Sequence, residues 1–145
     1  MKNKIRLLSL FSLFFALFII SSCEKKEEEP DRTALLTNHV WKFSQLTTTS
    51  TNSNIQLGVN LAAALMTNAT LTFAANGTYT MVVLSQPDAG IWELDASETT
   101  LTLNKGTEDE SVQQIIKLTS SVLDTKENLT DVDYGDYDVN YHWIK

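Results

Sequence analysis

The clearest alternation of apolar and polar positions runs from Ala69 to Leu84, A-T-L-T-F-A-A-N-G-T-Y-T-M-V-V-L. Two runs rich in β-branched and aromatic residues flank Asn76-Gly77, which predicts a β-hairpin. A two-residue Asn-Gly turn would set Phe73 opposite Thr80 and Leu71 opposite Val82, mixing the two faces. A three-residue loop, Ala75-Asn76-Gly77 with Gly77 left-handed, instead pairs Phe73 with Tyr79, Leu71 with Met81 and Ala69 with Val83, while Thr72 faces Thr80. One face is then apolar and the other rich in threonine, and a buried face is what fixes register. The three-residue loop is expected.

Before the hairpin, Leu35 and Leu36 sit in a helical turn suited to plugging one end of a fold. His39 to Leu46 alternates, with Trp41 and Phe43 on one face, which predicts the first strand. After a Thr/Ser-rich stretch from Thr47 to Ser53, Leu57, Leu61 and Leu65 recur every four residues. That spacing predicts a short helix capped at Asn54, crossing one open end of the sheet, with Gly58 as its weak point.

Beyond the hairpin, Gln86-Pro87-Asp88-Ala89-Gly90 reads as a turn. Trp92 and Leu94 share a face, Asp95 to Glu98 turns, and Thr99 to Asn104 points Leu101 and Leu103 inward. Ser111 to Leu118 sets Val112, Gln114, Ile116 and Leu118 on one face, and Ser121 to Lys126 follows. Asn128 to Asp138 reads as a polar loop, and the last strand carries Val139, Tyr141 and Trp143 together. About eight sequential strands with short connections predict an all-β fold, an antiparallel up-and-down barrel whose closure removes the exposed edges. Closure would pair the first strand with the last and bring Trp41 and Trp143 to one core.

The N-terminal pattern is different in kind. Lys2, Lys4 and Arg6 precede an apolar run from Leu7 to Ile20, the layout of a signal peptide and too short for a membrane span. The run ends at Ile20-Ser21-Ser22-Cys23, with the one cysteine of the chain. This tetrad resembles a bacterial lipobox, in which the cysteine is lipidated and becomes the mature N-terminus. The resemblance implies a cleaved leader over 1–22 and a membrane anchor of several acyl chains on Cys23, since one chain alone holds a protein only marginally. Residues 23–32 have the composition of a charged, flexible tether, leaving a barrel domain over 33–145. Within the tether, Lys26-Glu27-Glu28-Glu29 resembles the lysine-acidic signal that carries some lipoproteins to the outer face of an outer membrane. An outer-membrane lipoprotein is expected, with surface exposure as the further step.

Of 11 basic residues three lie in the leader, and all 18 acids lie outside it, so the mature chain carries eight positive against 18 negative charges, net −10. Such a balance excludes nucleic acid as a natural partner.

The order of features from Ala34 to Lys145 resembles the lipocalin-like domains of bacterial lipoproteins. It runs from Leu35-Leu36 before Trp41, through Leu71-Thr72-Phe73 before Asn76-Gly77-Thr78-Tyr79, to Gly90-Ile91-Trp92-Glu93-Leu94, Leu101-Thr102-Leu103 and an aromatic last strand. His39 stands where true lipocalins carry a glycine two residues before the first-strand tryptophan. The resemblance implies an envelope-anchored, non-enzymatic module that binds a small apolar ligand or a protein partner. Trp41, Phe43, Phe73, Tyr79, Trp92, Tyr141 and Trp143 fall on predicted inward faces and are the candidate ligand lining. The competing expectation is a structural or interaction lipoprotein whose barrel is filled, because eight strands enclose about enough space for side chains alone.

Catalytic chemistry is thin. No Gly-rich phosphate loop, nucleophile elbow or His-Glu-x-x-His occurs, no cofactor is implied, and only His39 and His142 supply imidazoles. Both are expected on the surface or rim, with no metal or catalytic role. Asp131, Asp133, Asp136 and Asp138 offer hard oxygens suited to calcium, but Gly135 falls where the EF-hand pattern needs a ligand. A solvated acidic loop, with Tyr134 and Tyr137 as contact residues, is the expectation there.

Overall fold

A computed structural model describes residues 31–145, so the expected leader, Cys23 and most of the tether lie outside the described residues. The described chain forms a closed antiparallel barrel in the order β1 to β8. A short helix, α1 (Arg32–Thr37), precedes β1 (Val40–Thr47), and α2 (Ser53–Leu65) lies between β1 and β2 (Thr70–Phe73). The rest are β3 (Thr78–Val83), β4 (Gln86–Leu94), β5 (Thr100–Leu103), β6 (Ser111–Leu118), β7 (Val122–Asp131) and β8 (Gly135–Ile144). The up-and-down barrel expected from the alternation is what forms, and β8 closes it on β1.

The central hairpin has the expected register. Phe73 pairs with Tyr79, Leu71 with Met81 and Thr72 with Thr80. Gly77 takes φ +83°, its amide donates to the Ala74 carbonyl at 3.1 Å, and Ala74 in turn donates to the Thr78 carbonyl at 2.8 Å. A left-handed residue is what the third position of such a loop needs, and glycine fills it without a Cβ penalty. Asn76 Oδ1 accepts from the Thr78 amide and hydroxyl at 3.1 and 2.7 Å, which locks the turn.

Four expectations are corrected. The stretch 86–90 is strand, and the turn is the pair Leu84-Ser85, both with positive φ (50° and 65°). Pro87 is tolerated because Val83 and Gln86 form the closing pair of a two-residue hairpin. The next position therefore turns its nitrogen away from β3, and β5 pairs with β4 only from Trp92 to Leu94. Gly90, read as a turn residue, is a close-approach site in the strand: a Cβ there would fall 2.0 Å from Asn104 Oδ1 and 2.8 Å from Tyr79 Cε1.

The phase of β6 is the second correction. Gln113 and Ile115 face inward, whereas Val112 and Ile116 are exposed. A bulge between Ile115 and Lys117 shifts the alternation, so Leu118 returns to the core although Ile116 does not. Third, the polar loop expected over 128–138 is mostly a hairpin. Pairing of β7 and β8 runs on to Asp131 and Gly135, leaving Val132-Asp133-Tyr134 as the turn. Polar side chains there alternate across a ladder whose backbone is satisfied, so composition alone misled. Fourth, α2 buries Ile55 and Val59, while Leu57, Leu61 and Leu65 face solvent. Its cap is Asn52, whose side chain accepts from the Asn54 and Ile55 amides.

Both ends of the barrel are covered. Leu36 of α1 is fully buried at the end where β1 begins, and Trp41 Nε1 donates to its carbonyl at 3.0 Å. At the other end α2 packs Ile55 and Val59 against Leu46 and Val139. No helix among the described residues is long and apolar enough to cross a membrane.

Leu84 and Ser85 hold a backbone conformation that costs an L-residue about 1 kcal/mol or more. Replacing the pair with Asn-Gly is expected to raise stability by about 1 kcal/mol in urea unfolding, with an unchanged m-value.

Candidate functional site

The interior has two unlike halves. Near α1, inward residues from all eight strands form one apolar cluster around Trp41, Phe73, Tyr79, Trp92, Leu101 and Trp143. Phe73 meets Trp92 edge to face at 5.3 Å, and Phe43 meets Trp143 at 5.7 Å. Trp92 Nε1 donates to the Ala74 carbonyl at 3.0 Å, so this ring is held at its polar end as well as its apolar one. Tyr79 takes its hydroxyl partner from Asn104 Nδ2 at 2.9 Å; burial pushes the Tyr79 pKa up and that hydrogen bond partly offsets it. Of the seven candidate lining residues, Trp41, Phe73, Tyr79, Trp92 and Trp143 belong to this packed half. Phe43 and Tyr141 are partly buried and touch both halves.

Toward α2 the packing loosens and the lining becomes mixed. A cleft of about 240 Å³ opens between α2 and the end of the β7–β8 hairpin. Ile55, Gly58, Val59 and Ala62 form its helical wall, and Leu129, Tyr137, Val139 and Tyr141 form its sheet wall. Asn54 and Tyr134 meet across its rim, Asn54 Nδ2 donating to the tyrosine hydroxyl at 3.0 Å. Apolar walls with a few placed polar groups are what small-molecule clefts usually present.

Beneath this cleft lie inward polar residues that the alternation did not flag. Thr125 Oγ1 donates to Gln113 Oε1 at 2.7 Å, and Gln113 Nε2 donates to Ser111 Oγ at 3.0 Å. Tyr141 donates its hydroxyl to Glu127 Oε2 at 3.0 Å. Burial, followed by the adjacent negative charge of Glu127, raises the Tyr141 pKa far above the ordinary phenol value, so Tyr141 stays a donor. Alternation hides Gln113 and Glu127 because the β6 bulge inverts one strand's phase and β7 runs on through a stretch whose composition reads as loop. The usable signal was the run Leu123, Thr125, Glu127, Leu129, which keeps period two if polar residues are allowed inside.

The acidic run is dispersed rather than convergent. Asp131 Oδ1 accepts from the Asp133 and Tyr134 amides, and Asp136 Oδ1 from the Thr130 hydroxyl. Asp138 is 7% exposed on the outer side of β8. Its Oδ1 accepts from the Thr49 hydroxyl at 2.6 Å and the Thr49 amide at 2.9 Å, and its Oδ2 pairs with Lys126 at 3.2 Å. This anchor fastens the segment leading into α2 to the barrel wall. His142 pairs through Nδ1 with Asp124 on the outer face, and His39 stacks edge-on against Trp41 at 5.4 Å. The two imidazoles thus have separate partners.

No family model matches the sequence, and no curated protein matches it. Among solved structures, the chain is similar to bovine odorant binding protein in complex with a selenium-containing odorant. That likeness has 14% identity and a TM-score of 0.50, over 83% of this chain and 76% of that one. Bovine odorant binding protein complexed with its natural ligand gives a TM-score of 0.49 at 14% identity, over 83% and 77%. A DUF4847 family protein from Bacteroides vulgatus gives 0.43 at 15% identity, over 73% and 93%. The first likeness shows the fold, a lipocalin-like barrel, and the ordered set of sequence features had pointed to the same architecture.

The Thr49 hydroxyl and amide, and then Lys126, hold the Asp138 carboxyl well below the usual carboxylate range. A folded pKa below the unfolded value of 3.8 means that this anchor stabilises fully above that pH and is lost as pH falls through the depressed value. Wild-type stability in urea is therefore expected to fall as pH drops below about 4. Asp138→Asn should lose about 1–2 kcal/mol at pH 7 and show a shallower fall in the acid range.

Proposed function

We propose that this protein is an envelope-anchored, non-enzymatic lipocalin-like lipoprotein that binds a small apolar ligand in the cleft beneath α2. The observation that carries the proposal is that cleft: about 240 Å³, its largely apolar helical and sheet walls interrupted by Asn54, Asp131 and tyrosine hydroxyls, at one end of a barrel whose other end holds the buried aromatic cluster. Bovine odorant binding protein, whose fold this chain shares, holds an odorant; that likeness supports the class of function and not the identity of a ligand. The packed half then serves as a rigid base, and the cleft's walls from Leu46, α2 and the β7–β8 end do the binding. Anchoring through lipidated Cys23 follows from the Ile20-Ser21-Ser22-Cys23 motif, and the net charge of the mature chain keeps nucleic acid outside its chemistry. Residence in an outer membrane rests on the same motif and the tether after it.

A second proposal is an interaction lipoprotein whose surface is the β7–β8 turn, favoured by Val132 at 99% exposure beside the partly exposed Tyr134. Val132→Ser should abolish capture of envelope proteins in pull-downs if that surface carries the function. The same change should leave capture intact if the function lies elsewhere.

Two experiments test the main proposal. Metabolic labelling with an alkynyl fatty acid should tag the wild-type chain in bacteria and fail on Cys23→Ser, which should also leave the membrane fraction. An unlabelled wild-type chain would remove the anchor. Titration with N-phenyl-1-naphthylamine, an apolar fluorophore, should give saturable enhancement in the wild type. Gly58 lines the cleft and a Cβ there meets nothing within 4 Å, so Gly58→Trp places bulk into it without a backbone clash. That variant should weaken the dye by about tenfold or more, some 1.4 kcal/mol, at unchanged melting temperature. No saturable enhancement in the wild type would overturn the ligand reading.

A further inference from the structure

The outer face of α2 is apolar where a surface helix is ordinarily polar. Leu57, Leu61 and Leu65 recur every four residues and are 68%, 61% and 48% exposed. Steps of four keep side chains on one side of a helix, so the three form a single stripe. Leu84, 64% exposed, stands at the same end of the barrel. It lies two residues past Val82, the partner of Thr70 in the strand that α2 leads into. The stripe also borders the cleft. Asn54, Gly58 and Ala62 line that cleft, and each is followed three residues on by one of the leucines, its neighbour on the helix surface.

Charge, area and reach select what covers this face. No Asp, Glu, Lys or Arg occurs from Phe43 to Pro87, a span that holds the whole stripe and Leu84 in an otherwise acidic chain. This face can therefore leave water without burying an ion. Its apolar area is a few hundred Å², well short of the about 800 Å² that each partner of a stable protein complex buries. A bilayer sets no such threshold once a lipid anchor holds the chain beside it. Eight peptide steps join Cys23 to Asp31, a reach of at most about 29 Å. The eight residues of β1 span about 26 Å from the α1 end toward the α2 end. A chain anchored at Cys23 can thus set its α2 end on the bilayer that holds the anchor. Acids flank the face, because Glu108, Asp109 and Glu110 between β5 and β6, and Asp131 and Asp133 beside the β7–β8 turn, lie at the same end. They would repel anionic head groups and accept ammonium ones.

We propose that α2 docks on the membrane, its leucines entering the interface of a zwitterionic bilayer whose head groups carry ammonium. The proposal rests on the lipid-anchor reading above and goes beyond it by fixing an orientation. The α2 end meets the lipid, with the lip of the cleft beside it, and the α1 end points away.

The test uses the full lipidated chain carrying Leu61→Trp, reconstituted in vesicles of lipids brominated along the acyl chain. Trp41, Trp92 and Trp143 are all buried, so the introduced indole is the one placed to meet lipid. On vesicles of phosphatidylethanolamine and phosphatidylcholine its emission should fall by about half or more, and on phosphatidylglycerol by less than about a fifth. Adding Leu57→Gln and Leu65→Gln should reduce the first loss to the size of the second. The melting temperature should hold, since both sites are exposed and glutamine matches leucine closely in helix propensity. Flotation of each sample reads the anchor separately. If the chain floats with the vesicles but the indole is unquenched, or the quenching is equal on both lipids or survives the glutamine pair, the docking is wrong and the anchor stands. An unquenched indole that cross-links to a second copy or another protein would give the face to that partner instead. If the chain does not float, the anchor reading fails and takes this inference with it.

Discussion

Barrel closure hangs on one strand. The first half of β1 bonds β2 through Val40, Trp41 and Lys42, and its second half bonds β8 from Lys42 to Thr47. A strand shared in this way must keep its inward positions in phase with two neighbours at once, and strict alternation fails to do so here. The bulge between Phe43 and Gln45 absorbs the mismatch, so that Trp41 and Phe43 point inward below it and Leu46 above it. The bulge in β6 does the same for Ile115 and Leu118. Without these two single-residue insertions, either Leu46 or Leu118 would turn to solvent and a polar neighbour would take its place. The two-part interior is therefore a product of the closure and its bulges.

Most of this was legible where alternation is strict. The hairpin register followed from asking which loop length gathers Phe73, Tyr79, Leu71 and Met81 on one face, and the same reasoning found Trp41 and Trp143 for one core. It failed where geometry and side-chain type part company. A left-handed Leu84-Ser85 pair carries no glycine or asparagine to announce a turn, and Pro87 can sit in a strand because nothing pairs with its other edge. Gln113, Thr125 and Glu127 were invisible for a related reason. A period-two pattern is recognised by apolar residues, and these inward positions are polar. The candidate lining comes mostly from the aromatic half, which alternation displays best, and of its residues Tyr141 lines the mixed cleft.

Charge is divided as unevenly as polarity. No Asp, Glu, Lys or Arg occurs between Lys42 and Asp88, so the second half of β1, α2, β2 and β3 are uncharged. The charged side chains of the barrel gather on β4 to β8, where Lys126 meets Asp138, Lys105 meets Glu93 and Asp124 meets His142. A neutral α2 lies against the wall that carries Glu127 and Asp138, and brings no cation to neutralise either. Asp138 obtains its donors from the Thr47–Asn52 connection and from its own sheet, and that connection is what fixes α2 in place. Glu127, on the inner side of the same wall, obtains one hydroxyl.

The contrast between these two acids bears on the choice between a filled barrel and a binding barrel. If the chain had been shaped only to fill its interior, position 127 would be expected to resemble 123, a fully buried leucine two inward places further down the same strand. An apolar side chain there would pack against Val139 and Leu129 and carry no desolvation cost. Space-filling does account for the half around Trp41, Phe73, Trp92 and Trp143, where the Trp41 and Trp92 indole nitrogens and the Tyr79 hydroxyl have partners within the fold. It does not account for Glu127, an inward carboxylate with one hydroxyl donor and no cationic partner among the described residues. Filled core and proposed cleft therefore occupy opposite ends of one barrel, and the boundary between them runs through Phe43 and Tyr141, the two aromatics that touch both clusters.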